Sequence, residues 1–229
     1  MKLGLNESLK IIKVLYKTGL MKKMLTACMF MFFAFGVLFC FAPAEELEST
    51  VLGGFYFVFL YIYIEQIMMS HSITSLFITS PLRKIIETKL RIIFSTALQL
   101  TGYSIYLVFN RIWCAKAESA ESVIRCNTAL IFVAVIGFGM LIYSQLVFRF
   151  YKIGVTLLCI FVLPIIVSLV NLNGWSVYIA SENSILTIII SYAILIAGYI
   201  MAFVLAKLVY KKPVNKTLYK NALGKLAKT

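Results

Sequence analysis

The chain has 229 residues, is 62% hydrophobic and carries 22 Lys and Arg against nine acidic residues, for a formal net charge of +13. A soluble domain of this length cannot hide so much apolar surface, because globular chains average roughly 45–50% apolar; the composition predicts an integral membrane protein. The basic residues fall at the ends of apolar runs and in the two terminal stretches, which fits anionic headgroups and argues against nucleic acid as a partner.

The first element is "NESLKIIKVLYKTGL", in which Leu5, Leu9, Ile12 and Tyr16 repeat at helical spacing while Lys10, Lys13 and Lys17 fall on another side. It predicts an amphipathic helix over 5–20, lying in the membrane interface, with Asn6 or Ser8 as its N-cap. Six apolar runs follow, at about 24–42, 51–70, 90–109, 128–148, 153–172 and 184–206. Each approaches or exceeds the ~20 residues that a helix needs to cross a bilayer. The first is too long for a signal-peptide core, although "APA" after it resembles a small-residue cleavage site. Pro164 should kink or break the fifth span, and Pro213 should end any continuation of the sixth. With no internal repeat and no low-complexity linker, residues 1–229 read as a single all-α membrane domain, closed by a basic tail over 207–229.

Charge sets the orientation. With both termini in the cytoplasm, 19 of the 22 basic residues lie inside; Arg111, Lys116 and Arg125 lie outside with six of the nine glutamates. That asymmetry predicts a multi-pass protein of the plasma membrane with both ends cytoplasmic.

Catalytic patterns are missing from the sequence. There is no G-x-x-x-x-G-K-[ST] phosphate loop, no H-E-x-x-H, one histidine (His71) and no aspartate. The paired glutamates of "EELES" lie in a loop and lack the arginine that an intramembrane protease of the prenyl type would place after them. No enzyme activity, metal site or bound cofactor is expected in this chain.

Three groups remain as candidates. Glu65, in "YIYIEQIMM", is a carboxylate inside a span, where a charge marks a site by default. Near the inward end it can pair with Lys22, Lys23 or Arg83, while Tyr61 and Gln66 make its surroundings polar enough to sit between helices. On the third span Thr96, Gln99, Tyr103 and Tyr106 recur at three, four and three, a stripe for helix packing or for a pathway wall. Cys114 and Cys126 share the long outer loop and are disulfide candidates, whereas Cys28, Cys40 and Cys159 read as buried thiols within spans.

The most distinctive stretch is "SLFITSPLRKIIETKL", after the second span. Pro81 suits the first turn of a helix capped by Thr79 or Ser80; Arg83, Lys84 and Lys89 make it basic, and Leu82, Ile85, Ile86 and Leu90 give it an apolar side. This segment resembles the cytoplasmic loop of ABC-2-type transporter permeases, where a short "SP-x-x-K/R…K" helix follows the second of six spans. The six runs, the amphipathic lead-in and the lack of an ATP site agree with that family over nearly the whole chain, although "NGWSVYIAS" is short where some members carry a re-entrant hairpin. The resemblance implies a coupling helix over about 72–87 that docks into a separate ATP-binding subunit through Pro81, Leu82, Arg83, Lys84 and Lys89. It also implies ATP and Mg held by that partner, a second permease copy or a related permease, and export of a hydrophobic or amphipathic cargo such as a peptide. Glu65, Gln66, Tyr61, Gln99 and Tyr103 would then be pathway or interface residues. A membrane solute-binding subunit of a vitamin-type importer, or a structural or sensory membrane protein, are the competing readings.

Overall fold

The computed structural model describes residues 5–18, 22–41, 47–69, 81–116, 119–147, 149–169 and 180–212. Every regular element among them is a helix: α1 (Leu5–Thr18), α2 (Lys22–Cys40), α3 (Leu47–Met69), α4 (Arg83–Cys114), α5 (Ala120–Leu146), α6 (Tyr151–Leu169) and α7 (Ser184–Val209). Helices satisfy their own backbone groups, the condition that an apolar environment imposes on a spanning segment. Four of them, α2, α4, α5 and α7, are long and apolar enough to cross a membrane. Within the residues whose side chains are described, α3 and α6 show apolar stretches over Thr50–Tyr63 and Tyr151–Ile160. The described part of each of the six predicted runs falls on a helix, although α4 starts at Arg83 and α5 at Ala120, ahead of the predicted 90 and 128.

Helix α5 is the axis of the bundle. Its apolar residues Ala129, Leu130, Val133 and Ala134 are fully buried, and it packs against α3, α4, α6 and α7. Helix α2 lies outside, against α3, through Phe32 stacked on Phe59 and edge-on to Tyr56 and Tyr63. The outer faces are apolar: Ile185, Ile189, Ile196, Ile200, Val204 and Leu208 form an exposed stripe along α7. The buried face of the same helix carries the small or polar Thr187, Ser191, Gly198, Ala202 and Ala206, the pattern expected where helices pack in lipid.

Helices α3 and α4 approach closely at Gly102, where an added Cβ would stand 2.4 Å from the Phe57 carbonyl oxygen. A backbone oxygen cannot swing aside as a side-chain tip can, so the two helices would have to part. Gly102→Val is therefore expected to destabilise the bundle by about 1–3 kcal/mol, the usual range for overpacking, read as a lower melting temperature in detergent.

The helix ends sort by charge. The start of α4, the ends of α5 and α7, and α1 meet at one end, hereafter the basic end: Leu15, Ile11 and Ile12 of α1 pack on Leu82, Ile86 and Leu90, and Arg149 reaches Glu87 and the Lys212 carbonyl. At the other end Trp113 donates to the Cys40 carbonyl, Arg111 to Asn127, and Asn127 to the Ser181 carbonyl.

Several expectations change. Residues 83–90 do not form a separate short helix: they are the first turns of α4, joined to Arg91–Cys114 through a π-helical turn at Ile86–Leu90 in which Arg91 N–H donates to the Ile86 carbonyl. The 32 residues of α4 run about 48 Å at ~1.5 Å per residue, well beyond ~30 Å of hydrocarbon, so one end of the helix has room to stand clear. Its proposed caps, Thr79 and Ser80, lie outside the described residues, as do 72–80 of the predicted loop. Asn6 and Ser8 lie inside α1. Pro164 does not end α6; α7 ends at Val209, and Pro213 lies outside the described residues. Cys159 is exposed on the outer face of α6 instead of buried.

Candidate functional site

The basic end holds a chain of buried charges built from four helices. Arg83, Glu87 and Arg91 recur every four residues along the start of α4. Glu87 is 2% exposed and lies between two guanidinium groups, 2.6 Å from Arg149 and 3.3 Å from Arg83. Arg149, just past α5, also donates through Nε to the Lys212 carbonyl (2.8 Å) and through a terminal nitrogen to the Tyr210 carbonyl (3.1 Å). Those carbonyls belong to the turn that closes α7, where the last backbone acceptors of a helix have no partner within it. Burial pushes the Arg149 guanidinium below its usual range, and Glu87 beside it acts the other way; the ion pair keeps the charge in place.

One turn deeper, Arg91 lies 3.4 Å from Glu65 of α3, both nearly fully buried. Gln145 of α5 bridges them, accepting from Arg91 and donating to Glu65 at 3.2 Å, while its neighbour Ser144 accepts from the same amide at 2.9 Å. Tyr61 sits beside Glu65 and Ser144. Glu65 therefore pairs with Arg91; of its predicted partners, Lys23 is exposed, Arg83 is held by Glu87, and the Lys22 side chain lies outside the described residues. Gln66 faces outward and takes no part in this cluster. A charge this deep is tolerated only with a partner and further hydrogen bonds, and the arrangement ties α3, α4, α5 and the end of α7 together.

The stripe on α4 is interior. Gln99 donates to the Gly137 carbonyl (2.9 Å) and Tyr103 to the Leu130 carbonyl (3.3 Å), both on α5, and Thr96 and Tyr106 are buried with them. These contacts make it a helix-packing seam. Cys114, at the end of α4, and Cys126, near the start of α5, lie close enough to influence one another, both as free thiols.

Of the five docking candidates, Pro81, Lys84 and Lys89 are exposed, Leu82 is partly buried, and Arg83 turns inward to Glu87 and the Tyr210 carbonyl. The exposed members open onto a groove of about 800 Å³ between the start of α4 and the end of α7. Lys84 and Lys89 line one side, Lys207, Tyr210 and Lys211 the other, with Leu82 and Ile85 as its apolar part. No carboxylate lines it among the described residues.

Sequence reasoning missed Glu87, Arg91, Gln145 and Arg149 as a network, and Lys207 and Lys211 as part of a site. The spacing of 83, 87 and 91, and of 207 and 211, was the available signal: charges four apart share a helix face. Comparison with protein-family models, with curated proteins and with solved structures finds no match to this chain.

Proposed function

We propose that the chain is the membrane-spanning permease subunit of an ATP-driven exporter, with six spans, both termini cytoplasmic and the basic end facing the cytoplasm. ATP and its Mg are held and hydrolysed by a separate subunit, and two permease chains, alike or related, enclose the path. The cargo is hydrophobic or amphipathic, with a peptide favoured by the aromatic, sparsely charged helices.

The observation that carries this reading is the way the segment after the second span is anchored. Its outward side offers Pro81, Leu82, Lys84 and Lys89, while its inward side is fixed to α3, α5 and the end of α7 through Arg91, Glu87 and Arg149. A subunit docked on the loop that leads into α4 would thereby act on three further helices at once. Docking transmits work only where contacts differ between the two states of the path, and a chain of discrete ion pairs is an element that can exchange partners between states. A segment serving only to fix orientation would need its lysines but not these inward pairs.

Co-purification from membranes in mild detergent tests the reading, comparing wild type with a Pro81→Ala, Lys84→Ala variant that leaves Leu82, packed on α1, and Arg83 in place. An ATP-hydrolysing subunit is expected to accompany wild type and to be lost from the variant at an unchanged melting temperature. If no such subunit accompanies wild type, the exporter reading falls, and a ligand-binding or structural membrane protein takes its place.

A further inference from the structure

The groove between α4 and α7 shares Lys84 and Lys89 with the docking side of the exporter reading and adds Lys207 and Lys211, a combination whose chemistry requires only that the apolar helices lie in a bilayer. Four lysines, Lys84 and Lys89 from α4 and Lys207 and Lys211 from α7, converge on it although more than a hundred residues separate the two pairs in sequence. Their charge is not neutralised locally. The nearest carboxylate on α4, Glu87, is buried and taken by Arg149 and Arg83, and none of the four lysines enters an ion pair among the described residues. Lys207 lies 4.1 Å from the Phe203 ring and Lys84 5.9 Å from the Tyr210 ring, so aromatic faces steady two of the ammonium groups without cancelling them.

Each side of the groove also ends an apolar stripe on the outer surface. On α4, exposed Ile93 and Ala97 stand one and two turns beyond Lys89; on α7, exposed Ile200, Val204 and Leu208 lead along the helix to Lys207 and Lys211. A ligand that fits both features has an anionic head for the lysines and hydrocarbon to lie along the two stripes. We infer that the groove is a headgroup site for an anionic phospholipid, its phosphate held by Lys84, Lys89, Lys207 and Lys211 and its acyl chains laid on the outer faces of α4 and α7. Basic pockets between helices at the cytoplasmic surface are a known physical solution for such headgroups. A free phosphate would gain from the lysines alone and would leave the apolar stripes unused. The site would fasten α7 to α4 from outside, at the level where Arg149 and Glu87 fasten them from within.

The test uses the full chain, stripped of lipid in detergent, with phosphatidylglycerol, phosphatidylcholine and inorganic phosphate as probes, and reads bound lipid by native mass spectrometry alongside the melting temperature. Phosphatidylglycerol is expected to bind and raise the melting temperature of wild type, and phosphatidylcholine is not. Lys207→Gln with Lys211→Gln, and separately Lys84→Gln with Lys89→Gln, should each weaken phosphatidylglycerol binding about tenfold or more, since a lysine at an anionic surface contributes on the order of 1 kcal/mol. A control pair on α1, Lys10→Gln with Lys13→Gln, should change it by less than about twofold. Equal losses in groove and control pairs would reduce the site to diffuse attraction, and no binding to wild type would remove it. A shift reproduced by inorganic phosphate would assign the lysines to a free anion. Loss of the co-purifying subunit from the Lys207, Lys211 variant with lipid binding intact would assign the groove to a protein; loss of lipid binding with co-purification unaffected leaves the exporter reading standing.

Discussion

Arg91→Met is expected to destabilise the bundle by about 3–5 kcal/mol, the range for removing one partner of a buried ion pair. Arg91 is 2% and Glu65 1% exposed, and the guanidinium serves both the Glu65 carboxylate and the Gln145 side-chain oxygen. Methionine fills much of the same volume but leaves a carboxylate on α3 among Tyr61, Ser144 and apolar neighbours, with the Gln145 amide as a donor at 3.2 Å in place of a charged partner. Glu65→Leu strands the opposite charge and should cost a similar amount. The double replacement, Glu65→Leu with Arg91→Met, should recover most of the loss, because well-packed apolar residues substitute for a buried pair at little net cost. Thermal unfolding of the two single variants and the double in the same detergent gives the coupling directly. Additive losses would mean that the two charges do not stabilise one another.

The apolar architecture was legible in the sequence because each run is about as long as a bilayer is thick and is bounded by charge. The stripe of Thr96, Gln99, Tyr103 and Tyr106 was legible as one face for the same kind of reason, a fixed helical period, although only the fold shows that α5 carbonyls receive it. What the sequence obscured is the direction in which the charges near residue 85 point. Arg83, Lys84 and Lys89 read alike as basic surface, yet Arg83 turns inward to Glu87 while Lys84 and Lys89 remain outside. Composition cannot separate the two, because a cation beside a buried carboxylate and a cation in water are the same letter. Glu65 posed the related problem of depth: its predicted partners were drawn from nearby span ends, whereas its actual partner lies two turns along α4, brought level by the continuation of that helix below residue 91. The lysine groove was least legible, since Lys207 and Lys211 acquire a role only once α7 folds back beside the start of α4.

Arg149→Lys is the second replacement with a large expected effect, and it keeps the charge while removing the geometry. Arg149 reaches the Glu87 carboxylate at 2.6 Å, the Lys212 carbonyl at 2.8 Å and the Tyr210 carbonyl at 3.1 Å, using the rigid fork of the guanidinium to join α4, the end of α5 and the close of α7. A lysine ammonium is a single point on a flexible stem and cannot hold three acceptors on two helices together. It will keep Glu87, the charged partner, and release the two carbonyls, a loss of about 1–2 kcal/mol at the level of one or two hydrogen bonds. Because local opening governs hydrogen exchange, the amides that close α7, Tyr210 N–H on Ala206 and Lys212 N–H on Val209, should exchange about tenfold faster. The deeper Glu65–Arg91 pair, on α3 and α4, should leave exchange there unchanged. On the exporter reading the consequence is uncoupling: the ATP-hydrolysing subunit still docks, since Pro81, Leu82, Lys84 and Lys89 are untouched, while transport falls by about tenfold because α7 no longer follows α4. Unchanged exchange at residues 210 and 212 would show that Arg149 does not hold the end of α7. Faster exchange with transport intact would show that the hold is structural and that the path switches without it.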